Sequence, residues 1–219
     1  MSTLTAIRDR IEQRLNDTGN TIWSTNWLDE GLRQALAEWS LKLPYQAITT
    51  LTLASDTHEL DISAVSGLLS VERLWIPYTS SDPENPPNWE AFEHWEDAQI
   101  VYMPDREGQS GDVARIYYTT AHTINGLDSE TATTLTVPVQ SILITGAAAH
   151  AALNRALDIQ EQVTLGRKTA AEIERWGAQQ LTRFEADLDR MVRARSLRRR
   201  NHAHLPPLDR WDRDGGGWS

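Results

Sequence analysis

The densest grouping of reactive side chains in the sequence lies in Asn88-Trp-Glu-Ala-Phe-Glu-His-Trp-Glu-Asp97, where Glu90, Glu93, Glu96 and Asp97 alternate with Trp89, Phe92 and Trp95. Two carboxyl groups, one kept protonated by an apolar setting, are the acid and base of a glycoside hydrolase. The same pattern describes a strand or turn whose rings pack inward while the acids face water, and nothing in the sequence supplies a cleft. His202, His204 and Asp209 are ligand types that zinc accepts. They stand in a stretch rich in Pro and Gly, with no third histidine nearby. Gly166-Arg-Lys-Thr169 shares its ending with a phosphate loop. It lacks the earlier glycine, the adjacent Gly-Lys pair and the preceding strand that the motif needs, so a helix-connecting turn is the plain reading. His150, among small residues, reads as a buried histidine with a hydrogen-bonded partner. We expect no catalytic residue, metal or cofactor.

Binding chemistry is concentrated at the other end of the sequence. Arg193-Ala-Arg-Ser-Leu-Arg-Arg-Arg200 holds five arginines in eight positions, in a chain of formal net charge -10. The segment then runs through Leu205, Pro206, Pro207 and Leu208 to Trp211 and Trp218. Guanidinium groups pair bidentately with carboxylates and phosphates, and tryptophan is a frequent anchor at binding sites, notably in segments that order on binding. The candidate partner-binding residues are therefore Arg193, Arg195, Arg198, Arg199, Arg200, Leu205, Pro206, Pro207, Leu208, Trp211 and Trp218. From Val192 onward there are seven arginines and three aspartates, which leaves fourteen basic and twenty-eight acidic residues, a body of about -14. Such a body repels nucleic acid, whose binding depends on Lys and Arg neutralising phosphates. The arginines accordingly fit an acidic groove on a protein better than DNA.

At 219 residues the chain can bury a sizeable core. Its composition, 40% hydrophobic and 24% charged, is that of an ordinary soluble globular protein. No cysteine is present, which excludes a disulfide framework and thiolate metal sites and fits a cytosolic assembly compartment. Met1 to Arg10 has no apolar core of a leader peptide. The longest apolar run, Val137 to Leu153, is interrupted by Pro138, Gln140 and His150, so no membrane span is expected.

The elements that position these residues follow from periodicity. Leu4, Ile7, Ile11 and Leu15 predict an amphipathic helix over residues 3–17, ended at Thr18-Gly-Asn. Asn26 is the expected N-cap of a second helix, with Asp29 and Glu30 in its first turn. Leu28, Leu32, Ala35, Leu36, Trp39 and Leu43 share its apolar face, and Pro44 closes it. Period-two patterning predicts a strand at 46–53 with a hairpin partner at 58–62. Further strands are expected at 69–78, 99–103 and 113–120, with a last short one at 131–137, and Ser80 to Asn88 is a surface loop. Pro138 starts a helix whose face holds Ile142, Gly146, Ala149, Leu153 and Leu157. Thr169-Ala-Ala-Glu172 matches a capping box. It opens a helix to about Arg195 with Ile173, Trp176, Leu181, Phe184, Leu188 and Met191 in a stripe. The expected fold class is α+β, an antiparallel helical bundle with an inserted small antiparallel β region and an extended C-terminal arm. The expected divisions are a helical pair at 1–44, a β region at 45–137, a second helical pair at 138–195 packing on the first, and an arm at 196–219.

This order and spacing resembles the adaptor, or head-to-tail connector (head-completion), proteins of tailed bacteriophages over most of residues 1–195. The resemblance is carried by the segment from Trp23 to Pro44 with Trp27-Leu28 and Ala35-Leu-Ala-Glu-Trp39, by Arg115-Ile-Tyr-Tyr118, by Val137-Pro138 and by the Gly146-Ala-Ala-Ala helix. The central β region is longer than in the small all-helical members. The resemblance implies a non-enzymatic virion protein that forms a homo-oligomeric ring, usually twelve-fold, beneath the portal, contacts a downstream tail protein and lets duplex DNA pass. It also implies a C-terminal segment that clamps the portal, here Arg193 to Ser219. Neighbouring copies are expected to meet through the terminal helices and the loop at Ser80 to Asn88, with host cytoplasm as the site of assembly. Removal of the chain from Arg193 onward is expected to leave a folded protein that no longer binds portal. The alternatives are a nucleic-acid-binding packaging or regulatory module using the basic arm, and a cell-wall glycosidase using Glu90, Glu93, Glu96 or Asp97.

Overall fold

The computed structural model describes residues 3–18, 22–80, 89–161 and 167–201, with backbone alone at 160–161, 167–169 and 198–201. Its helices are α1 (Leu4–Leu15), α2 (Thr25–Lys42), α3 (Val137–Glu161) and α4 (Arg167–Asn201), and its strands are β1 (Tyr45–Thr52), β2 (Glu59–Asp61), β3 (Leu68–Trp75), β4 (Trp89–Glu90), β5 (Glu93–Trp95), β6 (Ile100–Tyr102) and β7 (Val113–Thr120). The fold is α+β.

The helices share one apolar core. Leu4, Ile7 and Ile11 from α1, Leu28, Leu32, Ala35, Leu36 and Trp39 from α2, and Phe184 and Leu188 from α4 all meet α3. α3 can be central because Ala147, Ala148, Ala151 and Ala152 make it thin, so its neighbours approach closely. Leu157, expected on that face, is 60% exposed. Thr3 caps α1 through a bond from the Ala6 amide (3.4 Å), and Asn16 ends it in the left-handed conformation at φ 56°. Ser24 is the N-cap residue of α2, two positions before the expected Asn26. Asp29 thereby falls in the second turn, where its two oxygens accept from Arg8 Nε and Nη2 at 2.7 and 2.6 Å.

The β region is two small antiparallel sheets, one of four strands in the order β1-β7-β3-β4 and one of three in the order β2-β6-β5. Their inward rows, Leu74, Ala114 and Ile116 from the first and Leu60 and Val101 from the second, join one core with Leu53, Ile62, Ile76 and Met103. One expected pairing is corrected here. The segment at 58–62 is no hairpin partner of the first strand, since β1 pairs residue for residue with the equally long β7 (Tyr45↔Thr120 to Thr52↔Val113). β2, three residues long, pairs with β6 instead, so the expected strands at 99–103 and 113–120 belong to different sheets.

No strand forms at 131–137. Thr133 and Thr134 there accept the Asn125 and Thr123 amides through their hydroxyls at 2.9 and 3.0 Å, replacing a ladder by side-chain bonds. α4 begins at Arg167, so Thr169 lies inside its first turn and the expected capping box is not the cap. The helix also passes the expected end at Arg195 and runs to Asn201. Arginine is a good helix former and no breaker occurs before Pro206. Residues 196–201, expected in the arm, are therefore helical.

Candidate partner-binding surface

α4 positions the basic cluster. Its stripe of Phe184 and Leu188 is buried, with Ile173, Trp176, Leu181, Met191 and Val192 packed against the same core. Beyond this anchor Arg195 donates to the Pro44 carbonyl at 2.9 Å, and Leu197, two residues on, is 60% exposed. Lys42 at the end of α2 pairs with Asp189 at 2.7 Å, and the Arg193 charge lies close enough to Asp189 to help hold that carboxyl below its usual pKa. Arg193 is exposed. Arg198, Arg199 and Arg200 continue the helix backbone. Leu205, Pro206, Pro207, Leu208, Trp211 and Trp218 lie outside the described residues, as do His202, His204 and Asp209.

Below the basic end is a cavity of about 250 Å³, whose lining includes Trp39, Leu43, His122, Leu135, Met191 and Arg195. His122 ties it together. Its Nε2 donates to the Leu43 carbonyl at 2.9 Å, its Nδ1 meets the Thr134 hydroxyl at 2.8 Å, and its amide donates to the Ser40 hydroxyl at 2.9 Å. These bonds fasten the end of α2 to the chain leaving β7, where the helical and β parts join. Sequence reasoning did not single out His122, for a lone histidine between strand and loop carries no periodic signal. Burial, countered by the Leu43 carbonyl and aided by the Arg195 charge, lowers its pKa. In the unfolded chain the ring takes a proton near pH 6.5, before the folded ring does. This contribution to stability is therefore present above that pH and is lost as pH falls below it. Thermal melting is expected to show a steeper loss between pH 7 and 5 for the native chain than for His122→Gln; parallel profiles would contradict this.

The acidic and aromatic segment divides its carboxylates among two sheets and a turn. Glu90 sits in β4 of the four-stranded sheet and Glu93 in β5 of the other, while Glu96 and Asp97 fall in the turn before β6. Phe92 packs against the β core, but Trp89 and Trp95, expected to point inward, are 42% and 47% exposed. The reason is register. Trp89 stands opposite Trp75 and Trp95 opposite Ile100, both on rows that face away from the shared core. His150 Nε2 lies 3.1 Å from Glu38 Oε1, but not in hydrogen-bonding alignment. Gly166 lies outside the described residues and Arg167 to Thr169 form the first turn of α4. No group of three His, Asp or Glu side chains able to hold a metal occurs among the described residues, and no described helix is long and apolar enough to cross a membrane.

The outward rows of the two sheets form surfaces that the sequence reading missed. On the four-stranded sheet, Trp75 meets Tyr78 (centroids 4.9 Å apart) and Trp89 (5.9 Å), and Trp89 meets Tyr117 (5.4 Å). Arg73 lies over Trp89 at 5.2 Å, and Arg115 over Tyr78 and Tyr117 at 4.7 and 5.6 Å. Glu72 is the acid beside them and accepts a bond from Gln46 at 2.9 Å. On the three-stranded sheet the outward rows are Glu59-Tyr102-Glu93 and Asp61-Ile100-Trp95. Trp95 stacks on Tyr102 at 5.7 Å and donates to Glu93 at 3.4 Å. The available signal was alternation, Arg73 with Trp75 and Arg115 with Tyr117 against Glu59 with Asp61 and Glu93 with Trp95. It shows which residues share a face but not which face is covered.

No family model matches the chain, and no curated protein matches it.

Proposed function

We propose that this chain is a structural subunit of a tailed-phage virion, a connector whose ring joins portal to tail and extends the DNA channel, with its C-terminal arm docking on the portal. The reading is supported most by the polarity of α4. This 35-residue helix is anchored in the bundle through Phe184 and Leu188, carries an exposed Arg193, is tied to Pro44 at Arg195, and continues with the three arginines at 198–200. What it extends from is a body of about -14. A basic helix end leading into Pro206-Pro207, Trp211 and Trp218 suits an acidic groove, where guanidinium–carboxylate pairs orient the arm and the rings anchor it. One arm per subunit makes attachment multivalent, so individually weak arms hold a ring. The resemblance in element order to head-to-tail connectors supplies the identity of the partner.

A channel wall must let duplex DNA pass, and an acidic one repels it. The full-length chain is expected not to retain duplex DNA on a filter at either low or moderate salt. Retention that falls steeply with salt would overturn the connector reading and assign the arginines to nucleic acid.

A further inference from the structure

We propose that the outward face of the four-stranded sheet docks on the outward face of the three-stranded sheet of a second copy of this chain, head to tail. The two faces lie on opposite sides of the shared β core and differ in sign. One presents Arg73 and Arg115 with, among the described residues, Glu72 beside them, and the other presents Glu59, Asp61 and Glu93 with no base in its rows. Both expose large rings, Trp89 at 42% and Trp95 at 47%, and Ile48 adds an aliphatic side chain, 52% exposed, to the basic face. Arginine and aromatic rings are the types enriched at protein interfaces. A second copy is the favoured occupant because each face finds its complement in charge, with exposed aromatics, on the other side of the same fold. Asp61 is held below the ordinary carboxylate pKa by the Ser63 hydroxyl first and then by the Ser63 amide, which it accepts at 2.8 Å, and stays ionised at neutral pH.

Contacts of this kind are heterologous, so each docked copy leaves one basic and one acidic face free, and growth ends only when the rotation closes a ring. Strands of three residues span roughly 10 Å, so a single contact is weak and closure strengthens it. The inference rests on the connector reading only for that closure; the docking is read from the faces.

The test uses the full chain, which has no cysteine of its own. Ile48→Cys marks the basic face and Ala98→Cys the rim of the acidic one, and a short bis-maleimide joins thiols brought together. A mixture of the two variants is expected to give crosslinked pairs, and either alone several-fold fewer. Adding Arg73→Glu to the Ile48→Cys chain is expected to reduce the yield several-fold, and pairing it with an Ala98→Cys chain carrying Glu93→Lys to restore it. Restoration also shows that the altered chains are folded. Absence of mixed crosslinks, a yield indifferent to charge reversal, failure of the compensating pair, or dominant same-site crosslinks would each overturn the proposal. So would single-stranded DNA binding lost on Arg73→Glu without mixed crosslinks, which would give the face to nucleic acid. Portal binding without mixed crosslinks would sink this contact alone, whereas crosslinks without portal binding would sink the connector reading alone.

Discussion

Replacing Phe184 by alanine is expected to lower the unfolding free energy by about 3–5 kcal/mol and the melting temperature by about 10 °C. The ring is fully buried in the helical core. It also fills the space left by a glycine, since a Cβ on Gly146 would lie 2.9 Å from two of its atoms. The loss therefore combines transfer of a large side chain to water with a cavity that α3 cannot close. The same contact predicts coupling. Gly146→Ala should destabilise the native chain, because an aromatic ring in a packed core has no room to retreat. In the Phe184→Ala background it should cost nothing or stabilise, as the obstruction is gone and alanine is the better helix former. Chemical denaturation of the four chains gives the cycle; additive effects would contradict the packing described.

Gly31→Ala is expected to destabilise by about 2 kcal/mol despite an intrinsic helix-propensity gain of about 1 kcal/mol. A Cβ at Gly31 would stand 2.5 Å from the Ala147 carbonyl oxygen and 2.8 Å from the Ala151 amide nitrogen. Both are backbone atoms of α3, so the clash is relieved only by parting the two helices. Parting them would loosen the seam that also holds Gln34 against Asn154 at 3.3 Å. Equilibrium unfolding in denaturant measures the change directly. A variant as stable as the parent would mean that α2 and α3 are not in such close approach.

The helical half of this fold was legible because burial there follows a local period. Leu28, Leu32, Ala35, Leu36, Trp39 and Leu43 were grouped by spacing alone, and all six are buried. β7 was legible for the same reason, with Ala114 and Ile116 alternating inward between Arg115 and Tyr117. Strand partnership was not, because pairing depends on residues far apart in sequence. The segment at 58–62 looks like a hairpin arm until the whole length of β7 competes for β1. The orientation of Trp89 and Trp95 failed for a related reason. Large rings are usually buried, but here register places both on outward rows. The end of α4 was misplaced because a run of arginines looks like a solvated tail, although arginine favours helix. Of the candidate binding residues, Arg193 and Arg195 are described with their side chains; the Arg195 guanidinium donates to the Pro44 carbonyl, and the Arg193 charge acts on Asp189.

That bond determines where the arm can be cut. Ending the chain at Val192 would remove Ala194 and Arg195 from the lining of the His122 cavity, so loss of binding could follow from damage to the fold. Ending it at Asn201 preserves all of α4, and a full-length chain with Arg198, Arg199 and Arg200 changed to serine removes charge without removing length. The direct measurement is cosedimentation of these two chains and the native chain with purified portal rings. The connector account predicts that the native chain sediments with portal, that the chain ending at Asn201 stays in the supernatant, and that the triple variant binds many-fold more weakly. Portal binding undiminished in both altered chains would contradict it.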